Sequence, residues 1–410
     1  MDVRDFDFDL PPELIAQEPA PDRGAARLLF LDRARGSLAH SHVTALPDFL
    51  RGGDLLVVNN TRVFPARLLG RRVPSGGAVE CLLIRSLSGA DQGSDRGQTG
   101  VRPRSDPGPD QGLTHDELWE ALVHPGQKLK PGAQLVFEGE SRPRGRALDH
   151  RGHGGHGGGN LQNRPSASSV SPVVKAYTLR GEVLERRFFG RRLVRLWTED
   201  GTPVDAAVDA IGHVPLPPYI KRDDRVEDRD RYQTVFAQAR GSIAAPTAGL
   251  HFNPSLMAAL TERGVETTAI TLHVGYGTFQ PVRVDRVEDH RVDSECYDIS
   301  AEAAAAVTRA RGEHRRIIAV GTTTTRTLEA VAIAHDGEIV AGHGATDLFI
   351  YPGFRFRVVN GLLTNFHLPQ SSLLMLVSAF AGRDLVRTAY DAAVAERYRF
   401  YSYGDAMLVL

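Results

Sequence analysis

Disulfide chemistry has almost nothing to work with in this chain: its 410 residues include two cysteines, Cys81 and Cys296. That excludes a disulfide framework and points to a reducing compartment, with two buried apolar thiols as the simplest account of the pair. Long hydrophobic runs are missing too. No uninterrupted apolar stretch approaches the ~20 residues of a membrane-spanning helix. The acidic opening Met1-Asp2-Val3-Arg4-Asp5-Phe6-Asp7 lacks the apolar core of a secretion signal. Neither sign of charge dominates, since 49 basic side chains face 50 acidic ones, so a nucleic-acid partner would have to be met by local basic patches. Several enzyme signatures are also absent. No Gly-Lys-Ser/Thr completes a nucleotide loop, no dinucleotide fingerprint of glycines precedes a helix, and no Cys/His set has zinc spacing. A soluble, cytoplasmic protein of two or three domains is expected.

What is present divides the chain into unlike stretches. Residues 86–115 are rich in Gly, Asp, Pro, Ser and Gln, residues 139–171 include a His-Gly tract, and neither has a hydrophobic period. Burial cannot offset the entropy of ordering them, and both read as mobile loops. The second contains His153-Gly154-Gly155-His156, whose imidazoles lack a rigid spacing for a metal; a flexible insertion is the better reading. Around the loops lie short β-like segments at 78–84, 134–137, 173–177 and 193–197, which predict a small β-barrel or sandwich. Elsewhere strands alternate with helices. The stretch at 54–60 reads as a strand. Asn253 caps a helix with Pro254 in its first position, and Gly264 closes it. A strand at 268–274 follows, then an Ala-rich helix from Ser300 to near Gly312, then a strand at 316–320. The expected fold class is mixed α/β: an α/β catalytic domain over 1–63 and 211–410, with a small β-barrel domain inserted at 64–210.

Two dense polar runs stand out. The first, 241–253, carries Thr247, Gly249 and His251 just before a helix start. The second, 364–382, carries Thr364, Asn365 and His367 and then turns almost wholly apolar, as a site loop does when it leads into a buried helix. Both imidazoles sit among small polar residues in loops, and either could act as a general base. Gly321-Thr322-Thr323-Thr324-Thr325-Arg326 lies at a strand-to-helix junction, where free N–H groups and hydroxyls suit a phosphate or carboxylate; a plain helix cap is the equal alternative. His273-Val274-Gly275-Tyr276-Gly277-Thr278-Phe279 leaves another strand end, with glycines that let backbone approach a ligand or simply form a turn. The stretch 289–295 reads as a polar loop over a site in preference to a metal set. Arginines interleaved with aromatics, such as Arg355 and Arg357 with Phe354 and Phe356, suit RNA or form a solvated face. So does the cluster Arg186, Arg187, Arg191, Arg192 and Arg195.

Taken together the motifs resemble the S-adenosylmethionine:tRNA ribosyltransferase-isomerase family of queuosine synthesis. The resemblance runs nearly end to end, through Asp54-Leu55-Leu56-Val57-Val58-Asn59-Asn60-Thr61-Arg62, Pro215-Leu216-Pro217-Pro218-Tyr219-Ile220, Ala245-Pro246-Thr247-Ala248-Gly249-Leu250-His251-Phe252 and Tyr398-Arg399-Phe400-Tyr401-Ser402-Tyr403-Gly404-Asp405. Three features depart from it: Ala26 stands where the family usually has Ser, Asp293 where His is expected, and the two Gly-rich loops have no counterpart. The resemblance implies transfer and isomerisation of the ribosyl group of S-adenosylmethionine onto 7-aminomethyl-7-deazaguanine in a tRNA anticodon. S-adenosylmethionine is then a consumed substrate and no cofactor is required; the partner is tRNA, with no membrane and a monomeric state. On this footing His251 or His367 transfers protons, and Thr322, Thr323 and Arg326 hold an anionic group. Tyr276, Thr278 and Asn365 line the pocket, beside Thr247, Gly249, His273, Gly275, Gly277 and Thr364, while Arg62 faces the RNA backbone. Two rivals make different predictions: a tRNA methyltransferase would yield S-adenosylhomocysteine, and a noncatalytic RNA-binding protein would turn nothing over.

Overall fold

The structure, a computed structural model, describes residues 1–87, 116–141, 175–279 and 281–410, without the side chains of Phe189, Thr278 and Phe279. Most of both Gly-rich stretches, the His-Gly tract and positions 173–174 lie outside these residues. The chain forms two compact units. The first comprises Met1–Ala66, Val214–Asp224 and Arg231–Leu410; the second comprises Arg67–His213 and Arg225–Asp230.

The first unit is built on a nine-stranded mixed sheet. Its order is Gly342–Thr346, Glu295–Ile299, Glu266–Leu272, Leu55–Asn59, Ile317–Val320, Gly361–Asn365, Ala406–Val409, Arg27–Asp32 and Ser37–His42. The four strands from Glu266–Leu272 to Gly361–Asn365 run parallel. Strands covered on both faces need apolar side chains on both, which is why Ile317–Val320 is an unbroken hydrophobic run and Leu55–Asn59 is one up to its last residue. Alternate residues serve opposite cores. Leu55, Val57, Ile317, Ala319 and Leu362 pack into one, and Leu56, Val58, Ile318, Val320 and Leu363 into the other. Each Val, Leu or Ile among them contributes roughly 1.5–3 kcal/mol by leaving water.

The expected helix starts form as their caps dictate. Asn253 Oδ1 accepts from the Leu256 N–H at 2.8 Å, opening Pro254–Glu262. Ser300 Oγ accepts from the Ala303 N–H at 3.2 Å, opening Ala301–Gly312. Ser371 Oγ accepts from the Leu374 N–H at 3.3 Å, opening the apolar helix Ser372–Ala381. The strand expected at 268–274 spans Glu266–Leu272 instead. It stops where the Asn59 amide takes over the backbone of Leu272, donating to its carbonyl at 2.9 Å and accepting from its N–H at 3.1 Å.

The second unit is a closed six-stranded barrel in the order Arg191–Trp197, Glu117–His124, Ala78–Ser86, Arg67–Val73, Gln134–Glu140 and Ala176–Arg186. Leu68, Cys81, Leu83, Phe137, Leu179 and Val194 are buried within the unit. Gly70 is required there, since a Cβ would lie 2.3 Å from the Val136 carbonyl oxygen. Burial pushes the Cys81 thiol up to about 12, which removes it from thiolate chemistry; Cys296 in the first unit is half-buried. Two of the clustered arginines meet cross-strand carboxylates, Arg191 to Glu120 at 3.2 Å and Arg195 to Glu182 at 2.6 Å. Strand pairing runs past the expected loop boundaries. Leu87 N–H donates to the Leu118 carbonyl at 2.7 Å, and Ser141 N–H to the Lys175 carbonyl at 2.9 Å. Residues 86 and 139–140 therefore belong to strands. Among the described residues, no helix is long and apolar enough to cross a membrane.

Candidate active site

Parallel α/β sheets expose loops at the carboxyl ends of their strands, and ligands bind in the crevice there. In the first unit a cavity of about 550 Å³ lies at that edge. Val274 follows one strand, Gly321 and Thr322 follow a second, and Thr364 and Asn365 end a third; all five line it. Thr247, Thr323, His367, Tyr219, Tyr401 and Ser402 complete its polar and aromatic wall. The two polar runs of the sequence therefore meet in one place.

Asn365 is the junction. It is 2 % exposed, and its Nδ2 donates to the Tyr401 carbonyl at 3.1 Å and to His251 Nε2 at 3.2 Å. An amide nitrogen only donates, so His251 Nε2 accepts and that imidazole is neutral. Burial lowers His251 to about 4; nearby Asp405 opposes the shift, while Arg399 and Arg23 add to it. With its nitrogen occupied twice, Asn365 is left with a buried Oδ1 that has no partner. His251 itself does not line the cavity and reaches it only through Asn365. His367 does line it: Nε2 is 2.9 Å from Thr364 Oγ1, and its backbone N–H donates to Tyr390 Oη at 3.0 Å. Burial alone lowers His367 to about 3, so it too is neutral near pH 7.

The helix Thr322–Ala334 begins at the cavity, after Gly321 at φ 92°, a conformation that glycine supplies without strain. Its threonines divide. Thr324, Thr325 and Thr327 donate their hydroxyls to the carbonyls of Val320, Gly321 and Thr323, at 2.8, 3.1 and 3.0 Å. They satisfy backbone acceptors and offer nothing to a ligand. Thr322 and Thr323 face the cavity, and Thr323 Oγ1 is buried without a partner. Arg326 is not with them. It lines a second cavity of about 410 Å³, together with Gly277, Asp293 and Glu295.

Other expected site residues scatter. His273 Nδ1 lies 2.8 Å from Thr61 Oγ1, and a Cβ on Gly241 would meet its ring at 2.7 Å, so this half-buried imidazole is packed into the scaffold. Burial lowers it, against an opposing pull from Asp298. Gly275 N–H donates to Glu295 Oε1 at 2.9 Å. Gly249 is a packing glycine, since a Cβ would sit 2.8 Å from Thr234 Cγ2. Tyr276 is half-buried outside both cavity walls, Arg62 is exposed, and the Thr278 side chain is outside the described residues. Ala26, one of the departures, is a core residue beside Leu28 and Val43; Asp293, the other, is in the second cavity.

Three polar or aromatic wall residues had no role assigned from the sequence: Tyr219, Tyr401 and Ser402. Tyr219 Oη hydrogen-bonds Ser402 Oγ, and the Tyr219 and Tyr401 rings meet edge to face at 3.8 Å between centroids. Tyr401 takes φ 75°, rare for a side-chain-bearing residue, and is held by its N–H donating to the Phe366 carbonyl at 3.0 Å. Both segments belong to quoted motifs, which was the available signal. Among the described residues no group of three His, Cys, Asp or Glu side chains is placed to share a metal ion.

Comparison with known proteins adds a second line. The family described as "Queuosine biosynthesis protein" matches residues 3–409. The S-adenosylmethionine:tRNA ribosyltransferase-isomerase of Heliobacterium modesticaldum is similar at 44 % identity over 410 residues, covering 100 % of both chains. That of Symbiobacterium thermophilum is similar at 45 % over the same span and coverage. A solved S-adenosylmethionine tRNA ribosyltransferase from Thermotoga maritima is 33 % identical and covers 99 % of this chain and 100 % of its own, at a TM-score of 0.48.

Proposed function

This chain belongs to the queuosine biosynthesis protein family, alongside full-length S-adenosylmethionine:tRNA ribosyltransferase-isomerases, and from that premise we propose the reaction it catalyses. It moves the ribosyl part of S-adenosylmethionine onto 7-aminomethyl-7-deazaguanine in a tRNA anticodon and rearranges it to an epoxycyclopentane. Adenine and methionine leave. S-adenosylmethionine is consumed as a substrate, and the reaction asks for no separate cofactor. One observation carries the reading: relatives named for this activity match the chain over its whole length at 44–45 % identity.

The cavity chemistry supports the same reaction. A sulfonium acidifies the ribose carbon beside it and is attracted to aromatic faces, which Tyr219 and Tyr401 offer. Adenine departs more easily when a proton reaches it, and a neutral amine must attack. His367 suits proton passage: burial keeps it neutral, and once protonated it is a strong acid that hands its proton on. His251 acts through Asn365 as a positioning residue. Asn365 Oδ1 and Thr323 Oγ1 are free to take N–H or O–H groups of the substrates. Arg62, exposed on the short strand Thr61–Val63, suits an RNA phosphate. A cytoplasmic monomer is part of this proposal.

The deciding experiment incubates the protein with precursor-bearing tRNA and S-adenosylmethionine labelled in the ribose, followed by chromatography of small molecules and of digested tRNA. Free adenine and methionine with label in the tRNA are expected. Appearance of S-adenosylhomocysteine, or a nucleobase still attached to the labelled sugar, refutes the reading. In the same assay His367→Ala is expected to lower kcat by about 100-fold or more, the range of a proton-transfer group. Unchanged turnover in a folded variant removes His367 from the mechanism.

A further inference from the structure

Among the described residues, the wall of the first cavity holds no ionised side chain. The second cavity differs in kind. Among the described residues, Arg326, Glu295 and Asp293 line it, so it presents both signs of charge. Arg326 is 8 % exposed. Its Nε donates to the Leu348 carbonyl at 2.8 Å and its Nη1 to Glu295 Oε2 at 2.6 Å, while Nη2 is buried with no partner. A buried guanidinium nitrogen without an acceptor is costly in a finished structure and is a natural place for a ligand oxygen. The two cavities share Leu373. Thr323 of the first and Arg326 of the second lie three residues apart on one helix, close to one turn or about 5 Å along its axis.

Resting on the reaction proposed above, we infer that the cosubstrate is divided by charge between the two cavities: the adenosine half in the first, the amino-acid end of the methionine half in the second. Arg326 takes the carboxylate, and Asp293 and Glu295 face the ammonium. The amino-acid end is a zwitterion, and its carboxylate and ammonium match the guanidinium and the carboxylates of the second cavity group by group. The opposite arrangement fails on local chemistry. It would set the carboxylate against Asn365 Oδ1, an acceptor that repels it, and leave Arg326 Nη2 facing an uncharged base. Gly277 serves this division, because a Cβ there would lie 2.9 Å from Asp293 Oδ2 and displace that carboxylate.

The test measures binding of L-methionine and of adenosine separately to the full-length protein and to two variants. Arg326→Gln is expected to weaken L-methionine by about tenfold or more and adenosine by less than about twofold, since a charge-assisted bond is lost at one end only. Thr323→Val is expected to weaken adenosine and spare L-methionine. Parallel weakening of both ligands, or the reverse sorting, overturns the inference. Arg326→Gln removes the ion pair with Glu295 and risks misfolding, so a second measurement uses the unaltered protein. A decarboxylated S-adenosylmethionine should bind about tenfold or more weakly, and an analogue lacking the amine should bind Asp293→Asn and the unaltered protein alike. Full affinity for the decarboxylated analogue overturns the inference. Ribosyl transfer without sorting removes this inference alone; sorting without ribosyl transfer removes the proposed reaction and leaves the division standing.

Discussion

His251 and His367 are two buried imidazoles with about 4 and about 3 as their titration points, against 6.5 when exposed. Unfolding returns both to the exposed value. Above pH 6.5 neither state binds the protons, and the native state keeps its full stability. As pH falls from 6.5 toward 4 and 3 the unfolded chain takes up protons that the native one refuses, and stability is lost. For His251 alone the loss is on the order of 3 kcal/mol. Denaturant titrations at pH 7.5, 5.5 and 4.5 are expected to show declining stability in the native protein and a flatter decline in a His251→Gln, His367→Gln double variant. Identical pH slopes would exclude these two groups as the cause. Both histidines were legible in the sequence, because each stood in a loop of small polar residues. Their different positions were not, since only the folded backbone puts Asn365 between His251 and the cavity. Tyr401 was hidden for a related reason: its place in the wall depends on a positive φ that no local pattern announces.

Elements explain what the threonine run was for. Read alone, Gly321 to Arg326 looked like one anion pocket. In the folded chain three of its hydroxyls close on backbone carbonyls, and Thr323 and Arg326 face separate cavities. The junction itself, strand then glycine then helix, was visible because the apolar strand and the cap residues are local signals. Invisible was the buried carboxylate that ties this helix to its neighbours. Glu329 is fully buried and accepts from three backbone N–H groups, those of Arg357, Val358 and Val359, at 2.7, 3.0 and 2.9 Å. The segment it holds leads straight into the strand Gly361–Asn365, which carries Thr364 and Asn365. Glu329→Gln replaces one acceptor oxygen with a donor that faces N–H groups, and should cost about 3 kcal/mol. Urea unfolding reads this directly, and a midpoint unchanged from the native protein would show the three bonds to be dispensable.

At the scale of the molecule the Gly-rich stretches begin and end on paired strands. Ser86 is in register with Trp119, and Glu140 with Ala176. A hairpin whose ends already touch can be closed by a short turn, and loop-closure entropy changes slowly with length. Replacing 88–115 and 142–174 by four-residue turns is expected to shift stability by no more than about 2 kcal/mol for each loop, about 4 kcal/mol for both, and to leave ribosyl transfer within about twofold, because the proposed site draws only on the first unit. Loss of turnover in the folded shortened protein would give those stretches a part in catalysis or tRNA binding. The larger architecture was legible wherever strands were buried on both faces, and the barrel wherever turns punctuated short strands.

The sheet order also has a consequence for manufacture. Ala406–Val409 sits between Arg27–Asp32 and Gly361–Asn365, with Leu28 opposite Ala406. A ribosome adding roughly 5–20 residues per second delivers that partner about 20–75 s after Leu28 emerges. The six barrel strands, all within Arg67–Trp197, are complete long before. Every newly made copy therefore spends most of its birth with one half finished and the other holding an open seat in the middle of its sheet.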